Sequence, residues 1–182
     1  MTFEKTVTLK DGRTCLLRNG VASDGKAVLD VFNRTHEETD YLLTYSDENC
    51  FTASQEADFL QRKTDSTNTV EIIAIVDGVV AGTAGIDALG MRDKIKHRAV
   101  FGIAITKEFW GLGIGKYLME ACIECAREAG YLQLELEVVA ENERAVEMYR
   151  RAGFIEYGRN PKAFRLRTGE YQELIDMRLE LK

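Results

Sequence analysis

The segment Trp110-Gly111-Leu112-Gly113-Ile114-Gly115-Lys116 has the composition of an anion-binding turn. It follows an apolar run, Arg98 to Ile105, and precedes a segment with helical periodicity. Glycines at such a junction let the backbone approach a ligand closely. The free N–H groups of a helix's first turn, and its dipole, then favour an anion, most often phosphate. Two well-known phosphate motifs do not fit. The dinucleotide pattern G-x-G-x-x-G fails from Gly111 because Lys116 holds the third glycine position, and from Gly113 because Leu118 does. The P-loop pattern fails because Trp110 and Tyr117 stand where its first glycine and its Ser or Thr belong. A tight turn with no ligand is the plainer reading of the same glycines.

Two further polar residues lie downstream. Asn142 precedes a short helical pattern and is a good N-cap. Tyr149 reads as a core aromatic by its type alone. Their spacing of seven is nearly two helical turns, so both side chains share one side of the helix, about 10 Å apart.

The remaining reactive residues point to less. Cys122-x-x-Cys125 has no second such pair, and the only histidines are His36 and His97. The pair falls on an apolar helical stripe, so packing is expected and a metal site is not. His97, between Lys96 and Arg98, reads as a surface residue at a strand end. Between Arg34 and Arg62 there is no Lys or Arg, while Glu37, Glu38, Asp40, Asp47, Glu48, Glu56 and Asp58 fall there. Such a run is ordinarily a solvated loop; the sharper reading is an acidic funnel for a cationic amine.

Composition narrows the classes. The chain has 182 residues, 45% hydrophobic and 30% charged, which suits one domain over 1–182. No apolar run approaches the ~18 residues of a membrane span, and the N-terminus lacks a signal-type apolar core, so a cytoplasmic protein without membrane partners is expected. The net charge of -6 argues against nucleic-acid binding through a broadly basic surface. Four scattered Cys do not make a disulfide framework.

The elements that must position these residues are mixed α/β. Two short strands flank Asp11-Gly12, and Ser23 or Asp24 caps a helix with Ala27, Val28, Val31 and Phe32 on one face. Thr52 and Gln55 have capping-box spacing at the start of a second helix. A hairpin follows, turning at Asp77-Gly78. Strand Arg98–Ile105, a helix bearing Ile114, Leu118, Ala121, Cys122, Cys125 and Ala129, and strand Leu132–Val139 imply a parallel crossover. A short helix from Asn142 to about Ala152, then strands at Phe154–Tyr157 and Leu174–Leu181, close the chain.

The stretch VFGIAITKEFWGLGIGKYLMEACIECA, followed by LELEVVAENERAVEMYRRAGF, resembles the core of the GNAT acetyltransferase superfamily. That family's loop runs Gln/Arg-x-x-Gly-x-Gly/Ala and is followed by Asn…Tyr-x-x-x-Gly-Phe. Here these are Trp110-x-x-Gly113-x-Gly115, then Asn142 and Tyr149 with Gly153-Phe154. Trp110 departs from the pattern and removes one polar side chain, leaving the backbone cradle intact. The likeness is close over about residues 98 to 157 and loose elsewhere.

The resemblance implies a mostly antiparallel central sheet with one parallel, splayed strand pair and flanking helices. It implies acetyl-CoA as co-substrate, lying in the V between Arg98–Ile105 and Leu132–Val139. By that analogy the pantetheine arm pairs with Ile103, Ala104 and Ile105, and Asn142 contacts it. The pyrophosphate rests on Gly111, Leu112, Gly113, Ile114, Gly115 and Lys116 behind Trp110. Tyr149 is implied as general acid for the departing thiolate. A neutral amine attacks the thioester directly, with a strand amide near Ile103–Ile105 stabilising the oxyanion. Deprotonating an alkyl ammonium of pKa ~10.4 at pH 7 costs about 4–5 kcal/mol, so a base is expected, with Glu37, Glu38, Asp40 and Glu71 as candidates. The acceptor is a small-molecule or protein amine. Dimers are common in the family, although no motif here states one. Readings from other classes are a CoA-binding sensor or partner domain without turnover, and an enzyme using another acyl-CoA.

Overall fold

A computed structural model describes residues 1–182. In chain order the elements are β1 Glu4–Thr8, β2 Thr14–Asn19, α1 Gly25–Glu38, α2 Ala53–Asp65, β3 Val70–Val76, β4 Val79–Ala88 and β5 Arg98–Ile105. Then follow α3 Ile114–Glu128, β6 Gln133–Val139, α4 Glu143–Arg151, β7 Ile155–Arg165 and β8 Tyr171–Glu180. One eight-stranded sheet has the order β1-β2-β3-β4-β5-β6-β8-β7. Every neighbouring pair is antiparallel except β5 with β6.

Local chemistry explains most boundaries. Asp77 (φ 51°) and Gly78 (φ 80°) make the two-residue turn between β3 and β4, whose left-handed positions Asp-Gly tolerates. Thr52 caps α2: its hydroxyl accepts from the Gln55 amide at 3.3 Å, and Gln55 reaches back to the Thr52 amide at 2.8 Å. The α3 stripe of Ile114, Leu118, Ala121, Cys122 and Cys125 is buried against the sheet, which keeps both cysteines as packing residues. That core also takes β3 residues Val70, Ile72, Ala74 and Val76. On the opposite face Val28 of α1 and Leu60 of α2 pack on Ile73.

Three expectations need correction. Ala27 is exposed, and Thr35 takes the next place on the buried face of α1. Asp24 stands at the N-cap of α1 without capping it by its side chain. Its carboxylate is engaged by Arg18 at 2.7 Å and by the Val21 amide at 2.9 Å. The closing hairpin is longer than its apolar residues suggest. β7 runs to Arg165 through Pro161, which an edge strand with a broken register accommodates.

Candidate active site

Strands β5 and β6 are paired for three residues only, ending at Val100 with Glu135. Beyond that, β5 stays with β4 through Ile105 and β6 stays with β8 through Val139. The two strands therefore diverge into a V. Hydrogen-bonding direction alternates along a strand. Leu89 donates to the Arg98 carbonyl at 3.0 Å and Thr106 donates to Ala81 at 3.0 Å, so even-numbered β5 residues bond to β4. Ile103 and Ile105 then turn their main-chain groups into the V, and Ala104 turns its own toward Thr83 of β4.

The glycine loop closes the mouth of the V. Gly111 (φ 87°) and Gly113 (φ 95°) hold conformations that side-chain-bearing residues rarely adopt. Gly113 is the N-cap of α3. Gly115 is needed for a different reason: a Cβ there would stand 3.1 Å from Met148 Sδ of α4 and 3.4 Å from Ile105. The consecutive main-chain N–H groups from Gly111 to Lys116 donate to no atom of the protein. Trp110 donates its indole Nε1–H to the Ile105 carbonyl at 2.6 Å. The β1–β2 turn braces the loop from outside: the Lys10 amide donates to the Leu112 carbonyl at 3.2 Å. Tyr117 donates its hydroxyl to the Thr8 carbonyl at 3.2 Å.

Sequence reasoning named one cation here, Lys116, which is exposed and 3.7 Å from Glu120. It missed two. Arg144 of α4 lies over the Trp110 ring at 6.0 Å, with its guanidinium beside Gly111. Lys10 brings its side chain beside Gly113. Arg144 follows Asn142 by two residues in the first turn of α4, and that position is the signal that could have found it. Lys10 arrives from the far end of the sheet and has no local signal.

Asn142 caps α4, accepting from the Ala145 amide at 3.3 Å. Two turns on, Tyr149 is 5% exposed. Its ring meets Phe101 of β5 edge-on, with centroids 6.1 Å apart, and Phe154 at 5.8 Å. The hydroxyl has no protein hydrogen bond, and burial raises its pKa above the usual phenol range.

The segment after α1 crosses the open end of the V. On one side the Glu38 carboxylate accepts from the Lys107 amide at 2.5 Å and from Arg34 at 2.9 Å. On the other, Asp47 holds Arg167 of the β7–β8 hairpin at 2.7 and 2.9 Å, and the Tyr45 hydroxyl accepts from the Arg167 amide at 3.1 Å. A pocket of about 160 Å³ lies between this segment and the hairpin, beside Asp40, Leu42, Tyr45 and Phe164. Of the expected acidic residues, Glu37 and Asp40 are exposed, whereas Glu38, Asp47 and Glu48 are committed to local bonds. Glu71 is ion-paired to Lys63 at 3.0 Å. A cleft of about 660 Å³ follows the outer flank of α4 between Glu143, Glu147, Arg150 and Arg159, and Arg144 also borders it.

Known proteins share this fold. The model of the acetyltransferase (GNAT) family matches residues 29–154. An L-amino acid N-acetyltransferase of Escherichia coli is 32% identical over 118 residues, 64% of this chain and 72% of that protein. A GNAT-family acetyltransferase from Streptococcus pneumoniae superposes with a TM-score of 0.87 at 28% identity, covering 91% of this chain and 99% of that one. A phosphinothricin acetyltransferase from Sinorhizobium meliloti, solved with acetyl-CoA, has the same fold, with a TM-score of 0.80 at 19% identity over 96% of this chain and 89% of that one. From the splayed pair through the unpartnered loop amides to the order of its strands, this chain belongs to the acetyltransferase (GNAT) family.

Proposed function

We propose that this protein transfers the acetyl group of acetyl-CoA to a primary amine in the V between β5 and β6. The observation that carries the reading is the row of unpartnered N–H groups from Gly111 to Lys116, set at the mouth of a strand pair that has come apart. Main-chain donors at a helix N-terminus suit a pyrophosphate, and the three cations Lys10, Lys116 and Arg144 add charge. Arg144 compensates for the polar side chain that Trp110 lacks. The outward main-chain groups of Ile103 and the free amide of Ile105, whose carbonyl Trp110 already engages, suit a pantetheine amide chain added like a strand. Ala104 contributes shape rather than hydrogen bonds.

In this reading the acceptor nitrogen forms a bond to the thioester carbonyl carbon and the carbon–sulfur bond breaks. The outward amides of β5 donate to the developing oxyanion. Tyr149 lies behind Phe101 with its hydroxyl free. Burial keeps the phenol protonated, while a thiol of pKa ~8.5 leaves readily as thiolate. Tyr149 therefore acts as the acid by donating a hydrogen bond to the departing sulfur. The acceptor enters from the side walled by the segment after α1, where Glu37 and Asp40 favour a cation. The E. coli relative is named for L-amino acids, and that name supports including L-amino acids among the acceptors to test.

The test is CoA thiol release with a panel of primary amines, with product identified by mass. Amine-dependent release and an N-acetyl product are expected. Binding of acetyl-CoA with no amine-dependent turnover would make the protein a CoA-binding module instead.

A further inference from the structure

The β1–β2 turn is docked on the glycine loop by four contacts. Leu9 is buried in the core. The Lys10 amide donates to the Leu112 carbonyl at 3.2 Å, and the Tyr117 hydroxyl donates to the Thr8 carbonyl at 3.2 Å. The Arg13 guanidinium lies over the Phe109 ring at 5.7 Å. These contacts fix the stem of Lys10, whose side chain passes along Gly113: its Cγ and Cε stand 3.9 Å from where a Gly113 Cβ would be. Asp11 is the acid of the same turn, but Arg13 holds it at 2.8 Å and reaches on to Asp77 at 3.1 Å. The Lys10 side chain is left exposed with no carboxylate partner.

Arg144 is free in the same way at the other end of the loop. It stands in the first turn of α4, where the helix dipole disfavours a cation. Glu147, one turn on, is taken by Arg151 at 2.8 Å. The Arg144 guanidinium lies beside Gly111 and over Trp110 instead. In a chain of net charge -6, two exposed cations without partners set a local positive field over both ends of one loop.

The two ends are not equivalent. Trp110 is bonded to Ile105, so the Gly111 end adjoins the strand along which the pantetheine arm is placed. Gly113 caps α3 at the far end. Two residues of chain span at most about 7 Å, a length that a pyrophosphate on the loop amides covers. Acetyl-CoA presents its charged groups in a fixed order from the thioester: first the pyrophosphate, then the 3′-phosphate of the ribose. With the pyrophosphate on the loop, the ribose leaves past Gly113, where Lys10 stands.

We propose that Lys10 seats the 3′-phosphate of CoA, while Arg144 serves the pyrophosphate. The proposal rests on the acetyl-CoA reading and adds to it a selectivity, for CoA over its 3′-dephospho form. A lysine ammonium is a point charge on a flexible stem, which suits a phosphate monoester at the end of a rotating ribose. A guanidinium held against Trp110 suits the less mobile pyrophosphate, which it can grip with two parallel N–H groups. The monoester takes up a proton near pH 6, whereas the pyrophosphate diester keeps its charge. The selectivity is therefore full at pH 7 and declines below pH 6.

Calorimetry with acetyl-CoA and 3′-dephospho-acetyl-CoA tests the assignment. At pH 7 the wild type should bind the dephospho form about tenfold more weakly, and the gap should narrow at pH 5.5. Lys10→Ala should weaken acetyl-CoA about tenfold and leave the dephospho form unchanged, and Lys10→Arg should restore most of the loss. Arg144→Ala should weaken both ligands alike. The Lys10 side chain makes no bond within the fold; Lys10→Gln, which keeps the stem, serves if the alanine variant fails to fold. Equal affinity of the wild type for the two ligands would overturn the proposal. So would an equal loss for both in Lys10→Ala, which would return Lys10 to the pyrophosphate. Failure of the acetyl-CoA reading is distinct: the wild type would then bind neither ligand.

Discussion

Trp110 and Ile105 are joined by a 2.6 Å hydrogen bond from the indole Nε1–H to the strand carbonyl. The bond ties the glycine loop to the very strand that opens the V, so loop and strand present their free amides in a fixed relation. It also satisfies one outward carbonyl of β5 and leaves the Ile105 amide unused. A net hydrogen bond is worth about 1 kcal/mol. Trp110→Phe keeps the ring beside Arg144 and removes the donor. Steady-state kinetics should show KM for acetyl-CoA raised about five- to tenfold, with kcat little changed.

Gly113 holds φ 95° as the N-cap of α3. Its surroundings would accept a methyl group, since the nearest atoms to a Cβ lie 3.8 Å away in Tyr117 and 3.9 Å away in Lys10. The obstacle is the backbone, where a left-handed conformation costs an L-residue roughly 1–2 kcal/mol. Gly113→Ala should lower the melting temperature modestly, and Gly113→Val more. In a folded variant calorimetry should give acetyl-CoA affinity weakened tenfold or more, because relief of the strain turns the loop amides away from their common focus.

Removing the Tyr149 hydroxyl leaves its ring packed on Phe101 and Phe154. Tyr149→Phe should therefore lower kcat by about 10- to 100-fold with little change in acetyl-CoA affinity. Pre-steady-state measurement separates the chemical step from product release. An unchanged chemical step would remove Tyr149 from the mechanism.

Much of this site could be read from local sequence. The strand Arg98–Ile105 has the predicted bounds, and the loop glycines, the Asn142 cap and the Thr52 capping box all act within a few residues of themselves. What escaped depends on distant contacts. Lys10 reaches the loop from the β1–β2 turn, and the full length of β7 depends on pairing with β8. Glu56 looked like one of seven solvated carboxylates; only its phase with Leu60 and Lys63 marked it as inward-facing. Glu135 alternates with leucines as a solvent-facing residue would, yet it is buried against Arg98 across the paired base of the V.

Alkaline pH should expose the cost of the buried thiols. Burial pushes Cys15 up to about 11 and Cys125 up to about 12, and raises Cys122 well beyond the ordinary range. In the unfolded chain these thiols ionise near ~8.5. Above that pH the unfolded state binds fewer protons than the folded one, so stability is intact below ~8.5 and falls as pH rises toward the folded values. Each thiol contributes a slope of about 1.4 kcal/mol per pH unit in that window. Urea unfolding at pH 8, 9 and 10 under reductant should show the decline, and Cys125→Ala should flatten it by one thiol's share. Constant stability over this range would mean that the thiols are not sealed from water.

Amide hydrogen exchange with and without acetyl-CoA tests the central claim most directly, because the V assigns opposite fates to adjacent residues. Addition of acetyl-CoA should slow exchange at Ile103 and Ile105, which face the opening, and across Gly111 to Lys116, whose amides have no protein partner. Ala104, turned toward β4, should be protected already and should not change. Protection appearing on the outer flank of α4, with Ile103, Ile105 and the glycine loop unaffected, would contradict the account.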